Sequence, residues 1–171
     1  MARKTRQVEV RLVAEYLKAN YSKFPFVMAQ PLGKIDEALM AKEGYQRAIN
    51  ISRPFRPEVD AIVILPNYLL LIEAKVWHVL PGLAKLPFYK SLVPYTPELR
   101  EYMPREVLMQ LVVGWTNDNL EIMARSADVQ VVVFSPPWVG QVVQDMNLYW
   151  TREYQAARQK KLEMREYFGV E

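Results

Sequence analysis

Asp60-Ala-Ile-Val-Ile-Leu65-Pro66-Asn67-Tyr68-Leu-Leu-Leu-Ile72-Glu73-Ala74-Lys75 is the stretch whose reading decides the fold. Ala61–Leu65 and Tyr68–Ile72 are two apolar runs of strand length and strand composition, and Pro-Asn between them is turn chemistry. A tight turn that pairs Leu65 with Tyr68 makes the runs an antiparallel hairpin. The same register sets Asp60 directly opposite Glu73. Opposed residues in such a pair have Cβ atoms about 4.5–5.5 Å apart. Two carboxylates that close repel unless a cation or a proton lies between them. Lys75 falls on the face of Glu73, one strand period further on. The hairpin thus carries two carboxylates and an ammonium at one end of an apolar ribbon, an arrangement suited to a divalent metal.

Working outward, residues ~5–22 read as a helix, because Val10, Val13, Leu17 and Tyr21 recur at spacings of three and four. Phe24–Gln30 reads as a strand, Pro31–Gly33 as a turn, and Ile35–Ile49 as helical or irregular. Arg53-Pro-Phe-Arg-Pro57 is expected to be extended and to feed the hairpin. The segment Pro81–Pro104 holds five prolines, and a short helix over about Lys85–Val93 fits inside it with Pro87 in its first turn. Val107–Trp115 suggests a strand, Asn119–Ser126 a helix, and Val129–Ser135 a strand covered on both faces. A long helix is expected from about Val139 to Phe168. The order of elements predicts an α/β protein: a mixed β-sheet core flanked by helices, with a long C-terminal helix.

Composition bounds the function. A chain of 171 residues and 51% hydrophobic content supports one domain with a core. We expect a single domain over 1–171, with its core at about 5–135 and a helical extension at about 138–168. No apolar run reaches the ~18–20 residues that cross a bilayer, so no membrane partner is expected. With no cysteine, disulfides and thiolate zinc sites are excluded, and a cytoplasmic setting is the default. The net charge of +3 permits a polyanionic partner without demanding one.

Pro57-Glu58-Val59-Asp60, the apolar hairpin and Glu73-Ala74-Lys75 together resemble the signature of the PD-(D/E)XK nuclease superfamily, in its restriction-endonuclease-like and Holliday-junction-resolvase-like forms. Members often carry, on the helix after the E-x-K strand, a Gln with a Tyr four residues on. Lys85 and Tyr89 occupy that spacing here, with Lys85 departing from the expected amide. Members also place a metal-site Glu on the first helix, which Glu9 matches and for which Glu15 competes. The resemblance spans about residues 5 to 135. It implies a metal-dependent endonuclease hydrolysing DNA phosphodiester bonds with Mg²⁺ or Mn²⁺. The metal would be held by Asp60, Glu73, the Ala74 carbonyl and Glu9. Lys75 would position the attacking water, and Lys85 and Tyr89 would contact phosphate or brace the site. A homodimer is the expectation for cutting two strands.

Simpler readings stand beside this one. Lys75 can merely neutralise Glu73 at a strand end. The chain can keep a nuclease fold without turnover, as a DNA-binding or assembly protein, or act as an interaction module through its C-terminal helix. His78, the only histidine, reads as an exposed loop residue. Trp77, Trp115, Trp138 and Trp150 can stack on bases but are more often core or interface residues. The Tyr149, Trp150, Tyr154, Tyr167 and Phe168 group points to a docked surface or a partner subunit.

Overall fold

The computed structural model describes residues 2–147 and 152–167. The chain divides into two units, Met1–Phe134 and Ser135–Glu171. The first holds five strands in one sheet: β1 (Phe26–Pro31), β2 (Glu58–Ile64), β3 (Tyr68–Lys75), β4 (Glu106–Val113) and β5 (Gln130–Val133). They lie in sequence order, antiparallel from β1 to β3 and parallel from β3 to β5. The fold is therefore mixed α/β, a five-stranded mixed sheet flanked by helices.

The hairpin forms as its sequence predicts. Leu65 N–H donates to the Tyr68 carbonyl at 2.9 Å, and Ala61 pairs with Ile72, Ile62 with Leu71, Val63 with Leu70 and Ile64 with Leu69. No bulge interrupts this register between Ala61 and Ile64, but the pairing ends one step short of Asp60 and Glu73. Leu69 through Ala74 are buried, so β3 is the strand covered on both faces. That place was expected for Val129–Ser135. The observed β5 is instead a four-residue edge strand with Val133 51% exposed. Its β-branched run reflects pairing propensity rather than double burial.

Helix α1 (Ala2–Asn20) covers one face of the sheet, where the Tyr16 hydroxyl donates to Gln110 Oε1 of β4 at 2.8 Å. Its buried stripe is Leu12, Val13, Tyr16 and Leu17, and Val10 is 48% exposed. The helix is thus rotated from the expected stripe through Val10 and Tyr21. That rotation matters, because Glu9 lies one turn before Leu12 and Val13 on the inward side. Two short helices follow β1: α2 (Glu37–Glu43), whose Asp36 cap accepts from the N–H groups of Ala38 and Leu39, and α3 (Tyr45–Ser52).

Arg53–Phe55 is a 3-10 turn rather than the extended segment expected. It folds Arg56 inward, where its guanidinium donates to both carboxylate oxygens of Glu98, at 2.6 and 2.8 Å, and to the Pro31 carbonyl.

Helix α4 (Val79–Leu92) begins six residues before the expected Lys85 start, with Pro81 in its first turn. Pro87 is therefore interior, where it removes one backbone hydrogen bond. Burial of Leu83, Leu86 and Tyr89 against Leu69, Leu71 and Leu111 holds the helix to the sheet despite that loss. Helix α5 (Asp118–Ser126) is capped by the Asn117 side chain, which accepts from Leu120 N–H.

The second unit comprises α6 (Pro137–Asn147) and α7 (Arg152–Tyr167). The continuous helix expected from Val139 to Phe168 crosses residues 148–151, and these, like Phe168, lie outside the described residues. So do Tyr149 and Trp150 of the aromatic group, whereas Tyr167 is exposed on α7. Among the described residues, no helix is long and apolar enough to cross a membrane.

Candidate functional site

Backbone pairing between β2 and β3 stops at Ala61 and Ile72, although β2 runs back to Glu58 and β3 on to Lys75. Beyond that point Asp60 bridges the two strands with its side chain, its Oδ2 accepting from Ala74 N–H at 2.9 Å. In a strand, the N–H and C=O of one residue face the same neighbour, so the Ala74 carbonyl lies on the Asp60 side. One residue earlier, Glu73 is only 2% exposed on the face that packs against α4.

Lys75 holds the cluster together. Its Nζ lies 3.0 Å from Glu9 Oε2 and 3.3 Å from Glu73 Oε1. The structure brings Glu9, and not Glu15, to this ammonium; Glu15 pairs with Arg11 on an exposed part of α1. Lys85, half exposed on α4, approaches Glu73 Oε1 at 3.9 Å. Tyr89, one turn further, is buried in the core beside the site.

The electrostatics follow from crowding acids in a dry place. Burial, reinforced by the charge of Asp60, pushes the Glu73 carboxyl up to about 7 against the pull of Lys75 and Lys85. Burial likewise raises Glu9 despite Lys75. The Lys75 ammonium is opposed by its own burial, but Glu73, Asp60 and Glu9 outweigh that and raise its pKa. Burial and the charges of Glu73 and Asp60 also hold the Tyr89 hydroxyl neutral by raising its pKa. The cluster as a whole therefore takes up a proton near neutral pH.

Glu73 Oε2 is buried with no hydrogen-bond partner. Such an oxygen is costly to leave unmatched, and a cation is the natural counterpart for it. Among the described residues, no three acid or histidine side chains stand together in a way that could hold a metal ion. The donors on offer are two carboxylates and a carbonyl, which suits magnesium, an ion that keeps several waters and shares its shell with substrate phosphate.

Gly82 is a positioning residue that sequence reading passes over. A Cβ at this point of α4 would stand 2.7 Å from Lys75 Cγ and 3.2 Å from Leu111 Cδ1. Its missing side chain lets α4 press on the Lys75 stem and hold the ammonium between the two glutamates. The available signal was a glycine seven residues after the lysine, inside a segment that prolines disguised. Ala29 is a second such residue. It sits at the β1 position facing Asp60, between the Met28–Ala61 and Gln30–Val59 pairs, with φ of 53°.

His78 is exposed ahead of α4, with φ of 53° and its ring edge-on to Trp77. Trp77 and Trp115 line a surface groove rather than the core. Comparison with protein-family models, curated proteins and solved structures finds no match to this chain.

Proposed function

We propose that the chain is a metal-dependent endonuclease of the PD-(D/E)XK type, with a restriction-endonuclease-like core, hydrolysing DNA phosphodiester bonds. The observation that carries this is the convergence of Asp60, Glu73 and Lys75 at the point where β2 and β3 part, with Glu9 reaching the same ammonium from α1. Asp60, Glu73 and the Ala74 carbonyl are the groups that would hold Mg²⁺ or Mn²⁺, with Glu9 as a further carboxylate. Bound there, the ion supplies charge stabilisation at phosphate and a more acidic water.

Lys75 keeps its proton between two acids, so it orients the attacking water and offsets developing negative charge rather than acting as a base. Lys85, with its ammonium half in solvent, is placed to meet a substrate phosphate. Tyr89 braces α4 against the site from the core. A nuclease assay on linear, branched and single-stranded DNA, with Mg²⁺, Mn²⁺ or chelator, tests the reading. Cleavage should need the metal and disappear in Glu73→Ala and Lys75→Ala. Unchanged activity in either variant removes the mechanism.

One observation favours a second reading, a nuclease-fold protein that binds DNA or assembles without turnover. Lys75 already engages both Glu9 and Glu73, neutralising the acids that a metal would need. Calorimetry separates the two: absence of Mg²⁺ or Mn²⁺ binding at millimolar concentration supports the non-catalytic protein.

A further inference from the structure

Immediately beyond Lys75 the surface opens into a groove of about 680 Å³, bounded by Trp77, His78 and Leu80 on one side and Trp115, Asn117 and Met123 on the other. Trp77 follows β3 and Trp115 follows β4, so the groove lies off the carboxyl ends of two parallel neighbours. Open α/β sheets take their ligands at that end. Its volume falls within the ~300–1,000 Å³ typical of pockets that enclose a small ligand. A protein partner would need a broader surface, about 800 Å² on each side.

The lining chemistry narrows the occupant. Two indoles and an imidazole offer flat faces, Asn117 and Asn119 offer amides, and no carboxylate, lysine or arginine is among the lining residues. Trp115 and Leu80 are substantially exposed, so these apolar surfaces are open. Such a lining, completed by Val79, Leu120 and Ile122, suits a neutral, flat ring with polar edges. The cations lie next door: Lys75 is two residues from Trp77, and α4 runs from Leu80 past Gly82, against the Lys75 stem, to Lys85. A ring in the groove that carries a phosphate toward Lys75 and Lys85 is a nucleotide.

We infer that the Trp77–Trp115 groove binds an unpaired nucleobase of the DNA whose phosphate enters the candidate site. This rests on the nuclease reading and deepens it by naming the substrate class, DNA with single-stranded character. A base within a duplex is stacked and paired on both edges, and reaches such a groove only by leaving the helix. Aromatic stacking of this kind tolerates any base, since every base has a π-face.

Fluorescence anisotropy tests the inference, using fluorescein-labelled oligothymidylate and a blunt duplex of equal length, both in chelator so that no cleavage is needed. Trp77→Leu and Trp115→Leu keep apolar bulk but lose the ring, and each should weaken binding of the single strand by about tenfold, the scale of one stacked base. Binding of the duplex should be unchanged, and Trp77→Phe should retain most of the single-strand affinity. Unaltered single-strand binding in both leucine variants, or equal weakening on both DNAs, overturns the proposal. So does sedimentation showing a dimer that Trp115→Leu dissociates while strand affinity stays the same, because the groove would then belong to a second copy. Selective loss of strand binding in a protein that cleaves no DNA with either metal would leave the groove standing and sink the nuclease reading instead.

Discussion

Glu73 is a carboxylic acid forced to live where a carboxylate is expensive, and its titration is the most direct handle on the site. Its ordinary pKa is about 4.5, and burial with Asp60 raises it to about 7. A group raised in this way binds more protons folded than unfolded, so its contribution to stability is fully present below about pH 4.5. That contribution is lost as pH rises through about 7. In metal-free protein, wild type should therefore lose stability relative to Glu73→Gln across that window, by roughly a few kcal/mol. Urea melts of both proteins at pH 4.5 and 8 measure this, and parallel stabilities at the two values would show that Glu73 titrates normally. Gly82→Ala probes the neighbouring ammonium. Pushing the Lys75 stem aside by even ~1 Å should slow single-turnover cleavage by about a hundredfold, with a melting temperature close to wild type.

At the scale of elements, two joints show how the site is braced. Ala29 pays for a left-handed backbone beside Asp60, and its carbonyl accepts from Arg53 at 2.9 Å. Ala29→Gly should raise stability by about 1 kcal/mol, the cost of that conformation for a residue with a Cβ, read as a higher urea midpoint. Arg56 ties the end of β1 to the 3-10 segment Pro97–Tyr102 through Glu98. Removing one partner of a buried pair typically costs about 3–5 kcal/mol, so Glu98→Ala should lower the urea midpoint sharply.

The hairpin and its register were legible because two continuous apolar runs of strand length, joined by the Pro66-Asn67 turn, allowed one tight pairing. Helix α1 was legible as a helix but not in its rotation, since Val10 and Leu12 are equally apolar and only packing chooses between them. The start of α4 was hidden by Pro87, which local rules place in a first turn and which tertiary burial here holds in the helix interior. Nothing near Arg56 in the sequence announces its partner Glu98, 42 residues away.

At the scale of the whole molecule, every strand among the described residues and every proposed site residue lies within Met1–Phe134. A chain ending at Phe134 should keep the sheet and the carboxylate cluster. Circular dichroism should show a single cooperative melt for it, and calorimetry should give the same Mg²⁺ affinity as for the full chain. Loss of metal binding would mean that the second unit helps to form the site. The net charge of +3 is too small to hold DNA by bulk attraction. Affinity should instead depend on a few local contacts, and its logarithm should fall only shallowly with that of the salt concentration.

The bond between Tyr16 and Gln110 spans 94 residues of chain, and it sets a schedule. Glu9 emerges from the ribosome early, yet the helix that carries it, though it rests mainly on β3 and β2, is tied to β4 only once that strand has been made. At typical synthesis rates that wait is roughly 5–20 seconds. During it, Glu9, the third acid, meets Asp60, Glu73 and Lys75 only from a helix not yet tied to β4. A chain interrupted before Gln110 would carry the motif but not the bond that fixes α1 to β4, so the candidate site is braced in full only near the end of its first unit.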